Sequence, residues 1–140
     1  MATEYKATAL QTVPVGQNLQ FTDTVIGCTK GYVLHREGSG IFKLRGVTNQ
    51  CRAQYKVSFG GDIAIPTGQT VGSISIAIAL DGEPVQIMTV TPAVVEQFFN
   101  VYGAIFVDIP RGSESSISIE NVSSIPIEVI NANMIIERVA

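Results

Sequence analysis

The residues best able to do chemistry are two cysteines, one histidine and a scatter of carboxylates. Cys28 and Cys51 do not form a Cys-x-x-Cys motif, and His35 is the only histidine. These three residues fall short of the four ligands that a structural zinc site needs. We therefore predict no metal and no cofactor. For a cytosolic product we expect two reduced thiols, with a disulfide between neighbouring strands as the alternative.

Nucleophilic and acid–base catalysis also lack a recognisable motif. The segment Glu37-Gly38-Ser39-Gly40 has a Gly-Ser-Gly core but not the Gly-x-Ser-x-Gly spacing of a nucleophile elbow. The segment Asp81-Gly82-Glu83 fits a tight turn and not a calcium-binding loop. The glycines are not followed by the Gly-Lys-Ser/Thr of a phosphate loop. We predict a protein that is not an enzyme and has no catalytic residues.

The composition instead predicts a β-rich domain that associates. The 140 residues include 17 Ile and 16 Val but only 5 Leu, and β-branched side chains favour strands. Charged residues make up 15%, against about 25% in a typical domain, so we expect an oligomer that covers the surplus apolar surface. The sequence shows neither a signal peptide nor an apolar run of spanning length. We expect synthesis in the cytoplasm and no membrane partner.

Turn signals recur along the whole chain at about 8- to 12-residue spacing, which is typical of a β-sandwich or barrel. With almost no helical periodicity, the pattern predicts an all-β fold, a two-sheet jelly-roll sandwich of about eight to ten antiparallel strands. We divide the chain into an N-terminal strand or arm, residues 1–14, and one jelly-roll domain, residues 15–140.

Two predicted strands are uncharged or apolar on both faces. In the strand 71–80, isoleucines alternate with serines and alanines. In the strand 127–139, apolar residues occupy both registers, as expected for a strand covered on both sides. We predict that a neighbouring subunit provides the second cover. The interface candidates are Ser73, Ser75, Ala77, Ala79, Val129, Asn131, Asn133 and Ile135.

The charges are unevenly distributed along the chain. Residues 24–56 carry six basic side chains against one Glu, whereas residues 57–110 carry five acidic side chains and no Lys or Arg. Either the fold brings these segments together and neutralises them, or it exposes a basic face that docks on an acidic partner. Arg36, Arg45 and Arg52 are the candidates for such a face. A pI near 5 and the lack of interleaved aromatics argue against nucleic acid.

The second half of the chain resembles the tumour-necrosis-factor-like jelly roll, a trimeric fold. The resemblance lies in Tyr55–Phe59, in Val71–Leu80 with the Asp81-Gly82 turn, and in the closing pair Ile117–Asn121 and Ile127–Val139. In that family an Asn-containing penultimate strand precedes a long apolar final strand. The resemblance implies a homotrimer.

The whole chain also resembles small head-associated proteins encoded in prophages of Firmicutes. The matching segments are residues 2–13, 35–40, 48–53 and 131–139. This resemblance implies a phage virion protein, a decoration (cement) protein that binds the major capsid protein on the capsid surface. Tyr5 and Lys6 then join the three arginines as capsid-contact candidates.

The alternative function is a receptor-binding or adhesin head, with exposed aromatic residues near Phe98, Phe99 and Tyr102. No Gly-X-Y stalk precedes the domain in this sequence. A trimer without a stalk is better suited to sit directly on a lattice, and this favours decoration.

Overall fold

The computed structural model describes residues 1–28 and 30–140, and these residues form an all-β fold. The described chain contains eleven strands. They are β1 (Ala2–Ala7), β2 (Gln11–Val13), β3 (Asp23–Ile26), β4 (Val33–Leu34), β5 (Phe42–Arg45), β6 (Arg52–Ala64), β7 (Ile74–Leu80), β8 (Glu83–Val90), β9 (Phe99–Pro110), β10 (Glu114–Asn121) and β11 (Ile127–Arg138).

The strands form two antiparallel sheets. Sheet A has the order β3-β1-β11-β6-β9, with β2 paired to the other end of β11, and sheet B has the order β4-β5-β10-β7-β8. The predicted two-sheet sandwich is therefore confirmed. The N-terminal segment is part of it, because β1 pairs with both β11 and β3.

The main local difference from the prediction lies between β2 and β4. Residues 15–21, predicted as a short strand or extended segment, form no named strand, although Leu19 and Phe21 are fully buried. The Leu19 N–H donates to the Ile119 carbonyl at 2.8 Å, so the segment lies against β10. The strand β3 was not predicted, because its four residues are all exposed and show no alternation.

The core lies between the sheets and is built from alternating inward side chains. Along β6, Tyr55, Val57 and Phe59 have no exposed surface. Tyr5 is also in the core, with its ring 4.7 Å from that of Phe42 and only 3% of its surface exposed. The capsid contact expected for Tyr5 has no free surface to use, because alternation along β1 turns this side chain inward.

The final strand switches its inward register at a β-bulge. Before the bulge Val129 faces the core, and after it Met134 faces the core, while Ile135 is exposed. The pairing with β6 shifts between Ile130 and Asn133, and Asn131 within this gap has a φ of +56°. In a regular strand Val129 and Ile135, six residues apart, would share one face, and the bulge puts them on opposite faces. The core face of β11 thus consists of odd-numbered residues before the bulge and even-numbered residues after it. This change explains part of the apolar character seen in both registers of the sequence.

The bulge gives a direct test at Asn131. Replacing Asn131 with Val should lower stability by about 1–2 kcal/mol, because a β-branched residue is strongly disfavoured at positive φ. Asn131→Gly is the control and should be neutral or slightly stabilising, since glycine adopts this conformation without a clash. Urea unfolding measures both variants. Equal stability of the two variants would contradict a left-handed backbone at this position.

Candidate association surface

Exposed apolar side chains gather on the edge strands β8 and β9. On β9, Phe106 is 73% exposed and Tyr102 is 64% exposed, and both alternate with buried residues, so they point away from the core. On β8, Val85 and Ile87 are about half exposed, at 48% and 55%. The two strands belong to different sheets, so each presents its own exposed apolar residues, and an exposed apolar patch is typical of a surface that binds a partner.

The aromatic side chains of β9 border a row of small residues on the outer face of sheet A. Tyr102 lies opposite Gly60 on β6, and Gly60 lies opposite Asn133 on β11. One step along, Ala104 is opposite Ser58, which is opposite Ile135. Directly paired residues share a face of the sheet. We call this surface the outer shelf: Ser58, Gly60, Tyr102, Ala104, Phe106, Asn133 and Ile135.

Two glycines lie where neighbouring side chains approach the backbone on this side of the molecule. A Cβ atom on Gly60 would lie 3.7 Å from Cδ2 of Tyr102, so the tyrosine ring lies beside the bare backbone. A Cβ on Gly103 would lie 3.0 Å from both Cγ of Gln86 and Sδ of Met88. The absence of a side chain at Gly103 therefore lets β8 close against β9, although the two strands belong to different sheets.

Of the predicted interface residues, Val129 has no exposed surface and belongs to the core, so it is not available to a neighbouring subunit, and the other seven form two groups. Asn133 and Ile135 lie on the outer shelf, where the Asn133 amide donates to Oε2 of Glu4 at 2.7 Å, and Asn131 is exposed at the bulge. On β7, Ala77 and Ala79 have no exposed surface and are covered within the single chain.

The two serines of the β7 candidate set lie in hydroxyl pairs. The Ser73 and Thr91 hydroxyl groups are 2.9 Å apart, and those of Ser75 and Thr89 are 2.8 Å apart. These pairs satisfy the hydroxyl groups within the chain. The shelf therefore offers more free surface than β7 does.

The predicted basic contacts do not form a single face. Arg45 ends β5 and Arg52 begins β6, so these two lie at the same end of the sandwich. Arg36 lies in the loop after β4, and Lys6 lies opposite Asn133 on the outer side of sheet A. Lys43, another basic residue of the segment 24–56, makes an ion pair with Glu114 at 3.5 Å.

The histidine is used for packing. The His35 ring is stacked on Phe42 with a centroid distance of 4.0 Å, and its Nε2 is 3.0 Å from the Ser39 carbonyl oxygen. The Nδ1 atom is buried without a hydrogen-bond partner among the described residues. Burial lowers the pKa of His35, because an imidazolium here would place a second N–H where nothing accepts it.

The cysteines are both free thiols, Cys28 partly buried and Cys51 exposed. The Cys28 sulfur accepts the backbone N–H groups of Tyr32 and Val33 at 3.2 and 3.4 Å, which fixes the local loop. Within residues 1–28 and 30–140, no cluster of three or more His, Cys, Asp or Glu is placed to hold a metal ion. The same residues contain no helix long and apolar enough to cross a membrane.

Comparison with known proteins identifies the fold. No protein-family description and no curated protein matches the chain by sequence. The globular domain of zebrafish complement 1qA superposes with a TM-score of 0.71 over 99% of this chain and 97% of that domain, at 13% identity. Murine APRIL gives 0.60 at 8% identity over 98% and 99%, and rabbit GITRL gives 0.53 at 13% identity over 99% and 93%.

The chain has a tumour-necrosis-factor-like jelly roll. This confirms the fold that the segments between residues 55 and 139 implied. At 8–13% identity the comparisons establish the fold of this chain, and the role of its surfaces has to be argued from its own residues.

The sequence analysis missed two strongly exposed apolar residues of this jelly roll, Phe106 and Ile87. The signal was present in β9, where Val101, Val107 and Ile109 occupy one register and Tyr102 and Phe106 the other. That is the same pattern of two apolar registers that singled out β11. Tyr102, which the sequence analysis assigned to the alternative receptor-binding head, lies within β9.

The burial of His35 predicts a stability change with pH. Because folding lowers the pKa of His35 from 6.5, the unfolded chain takes up its proton first, and stability falls as the pH drops below about 6.5. His35→Phe keeps the stack on Phe42 and has no proton to take up. Denaturant unfolding at pH 7.5 and 5 should show a larger loss for the wild type. An equal loss in both proteins would rule out this role of His35.

Proposed function

We propose that this chain is a non-enzymatic structural protein that forms a homotrimer and decorates the outer surface of a phage capsid. The observation that carries the proposal is the outer shelf, with Phe106 and Tyr102 more than half exposed beside small side chains. In a single chain these aromatic groups face water. Covering them with a second copy would remove apolar surface from water at about 25 cal/mol per Å².

Closed self-association suits the way the apolar residues are distributed over sheet A. The edge strand β9 presents Tyr102 and Phe106. The opposite edge strand β3 presents Val25 and Ile26, and these two side chains are about half exposed. If the β9 edge of one copy contacts the β3 edge of the next, the same contact repeats from copy to copy. Such a series closes into a ring when the rotation between neighbouring copies is a whole fraction of a turn. The number three comes from the resemblance of the sequence to the trimeric jelly-roll family.

The capsid assignment rests on the resemblance of residues 2–13, 35–40, 48–53 and 131–139 to head-associated prophage proteins. A trimer would sit at a lattice point and contact several capsid subunits at once. Because it binds the assembled shell and not its separated subunits, it would stabilise the shell by mass action. No catalytic group is required for this function.

Solution mass tests self-association. We expect a particle of about 45 kDa, three chains of 15.0 kDa, by light scattering coupled to size-exclusion chromatography. Phe106→Asp should shift the mass towards 15.0 kDa, because it removes the apolar contact and places a carboxylate, with only Lys56 opposite it on β6, where a second copy would exclude water. Since Phe106 is 73% exposed in the single chain, the variant should still fold.

The matched control for this experiment is Val15→Asp. Val15 is 49% exposed and lies in the loop after β2, away from both β8 and β9. This variant should keep the 45 kDa mass. A wild-type protein that runs as a stable monomer, or a Phe106→Asp variant that keeps the full mass, would exclude the shelf as the association surface.

Co-sedimentation tests capsid decoration. The protein should pellet with empty capsids of the parent phage and remain in the supernatant with the separated major capsid protein. Binding to host cells without binding to capsids would instead favour the receptor-binding head, with Phe98 and Phe99 as the residues to substitute. A trimer that binds neither capsids nor cells would leave the fold and the assembly intact and remove the virion assignment.

A further inference from the structure

The carboxyl group of Glu128 is buried, and no basic residue lies at the strand positions paired with it. Glu128 on β11 is 7% exposed, although its neighbours Ile127 and Val129 occupy the core. Its side chain therefore points to the outer side of sheet A and is covered there. The residues paired with Glu128 are Thr12 on β2 and Ala64 on β6, and both are uncharged.

The cover includes the segment 91–98, which connects β8 to β9. In this segment Glu96 has a φ of +59°, a conformation that non-glycine residues rarely adopt. The Glu96 N–H donates to the Ile65 carbonyl at 2.8 Å, and Oε1 of Glu96 accepts the N–H and the hydroxyl of Thr67, both at 3.1 Å. Three hydrogen bonds thus fasten Glu96 to residues 65–67, immediately after the β6 position that pairs with Glu128.

The Glu96 and Glu128 carboxyl groups share a hydrogen bond, which requires a proton on one of them. This hydrogen bond, burial and the charge of Glu96 raise the pKa of Glu128 to about 7. The nearest other acid by strand position is Asp62, two residues before Ala64 on β6, and its Oδ1 accepts the Asn100 amide at 3.0 Å. Residues 57–110 contain no Lys or Arg, so β6 after Lys56, β9 and the 91–98 segment bring no compensating cation.

We propose that Glu96 and Glu128 form a proton-operated clasp that holds the 91–98 segment against the outer side of sheet A. With one proton between them, the two carboxyl groups attract and the segment is held. When that proton is lost, the exposed carboxylate of Glu96 and the buried carboxylate of Glu128 face each other and repel. Opening moves Glu96 away and returns Glu128 to water. The clasp is a property of the single chain and does not depend on the proposed assembly.

The direction of the pH effect follows from linkage. The closed clasp binds the proton more tightly than the open one, so closure is favoured at low pH. As the pH rises from the ordinary glutamate value of 4.5 through about 7, the opening equilibrium grows by up to about tenfold per pH unit, and above 7 it levels off. This is opposite in sign to the effect of His35, which weakens the fold as the pH falls.

Hydrogen exchange and carboxyl titration in the full chain test the clasp. Protection of the amides in 91–98, corrected for intrinsic exchange rates, should fall by about tenfold or more between pH 5.5 and 8. In Glu128→Gln the amide donates to Glu96 without a titrating proton, so protection should stay constant over this range. Glu137→Gln, an exposed substitution on the same strand, is the control and should behave as the wild type.

The ¹³C chemical shift of the Glu128 carboxyl should report a titration near neutral pH in the wild type. A Glu128 that titrates close to 4.5 would overturn the proposal. So would unchanged protection of 91–98 while Glu128 titrates near neutral pH, because the proton would then have no effect on the segment. The titration uses the unsubstituted protein, so it remains decisive even if Glu128→Gln does not fold.

Discussion

The pairing of β6 with β11 through the middle of sheet A is the constraint on which both faces of the sandwich depend. Every side chain of these strands is assigned to the core or to the outer side by this one register. The register changes at Asn131, where a left-handed residue inserts a bulge. As a result, Val129 and Met134 both reach the core, and Asn133 and Ile135 both reach the outer side. Without the bulge, the core residues of β11 that follow it, Met134 and Ile136, would face outward.

The same constraint explains which parts of the structure could be predicted from the sequence. The period-two pattern of β7 fixed its buried face, because Ile74, Ile76 and Ile78 alternate without interruption and all three are fully buried. The bulge could not be predicted, since asparagine adopts a positive φ more readily than most residues but does not require one. The burial of Ala77 could not be predicted either, because it depends on larger side chains across the strands on both sides.

The candidate surface shows the same division. Asn133 and Ile135 were predicted from β11 alone, and they lie on the outer shelf. Phe106 and Tyr102, which dominate that shelf, become significant only when β9 is known to be an edge strand. An apolar residue in the outward register of a central strand can be covered by its own chain. On an edge strand it has a neighbour on one side only, and strand order is a property of the fold that a local pattern does not contain.

Charge placement explains why the shelf and not a basic face is the prominent surface. The basic segment 24–56 contributes Lys43 and Lys56 to strands whose neighbours come from acidic parts of the chain. Lys43 pairs with Glu114, and Lys56 lies in register between Phe106 and Glu137. Strand pairing thus places these two basic residues beside carboxylates from residues 111–140, not beside the acidic segment 57–110. Lys56 and Glu137 border the shelf, whose own centre of Ser58, Gly60 and Ala104 is uncharged. A partner bound at such a surface would be recognised by shape and apolar contact.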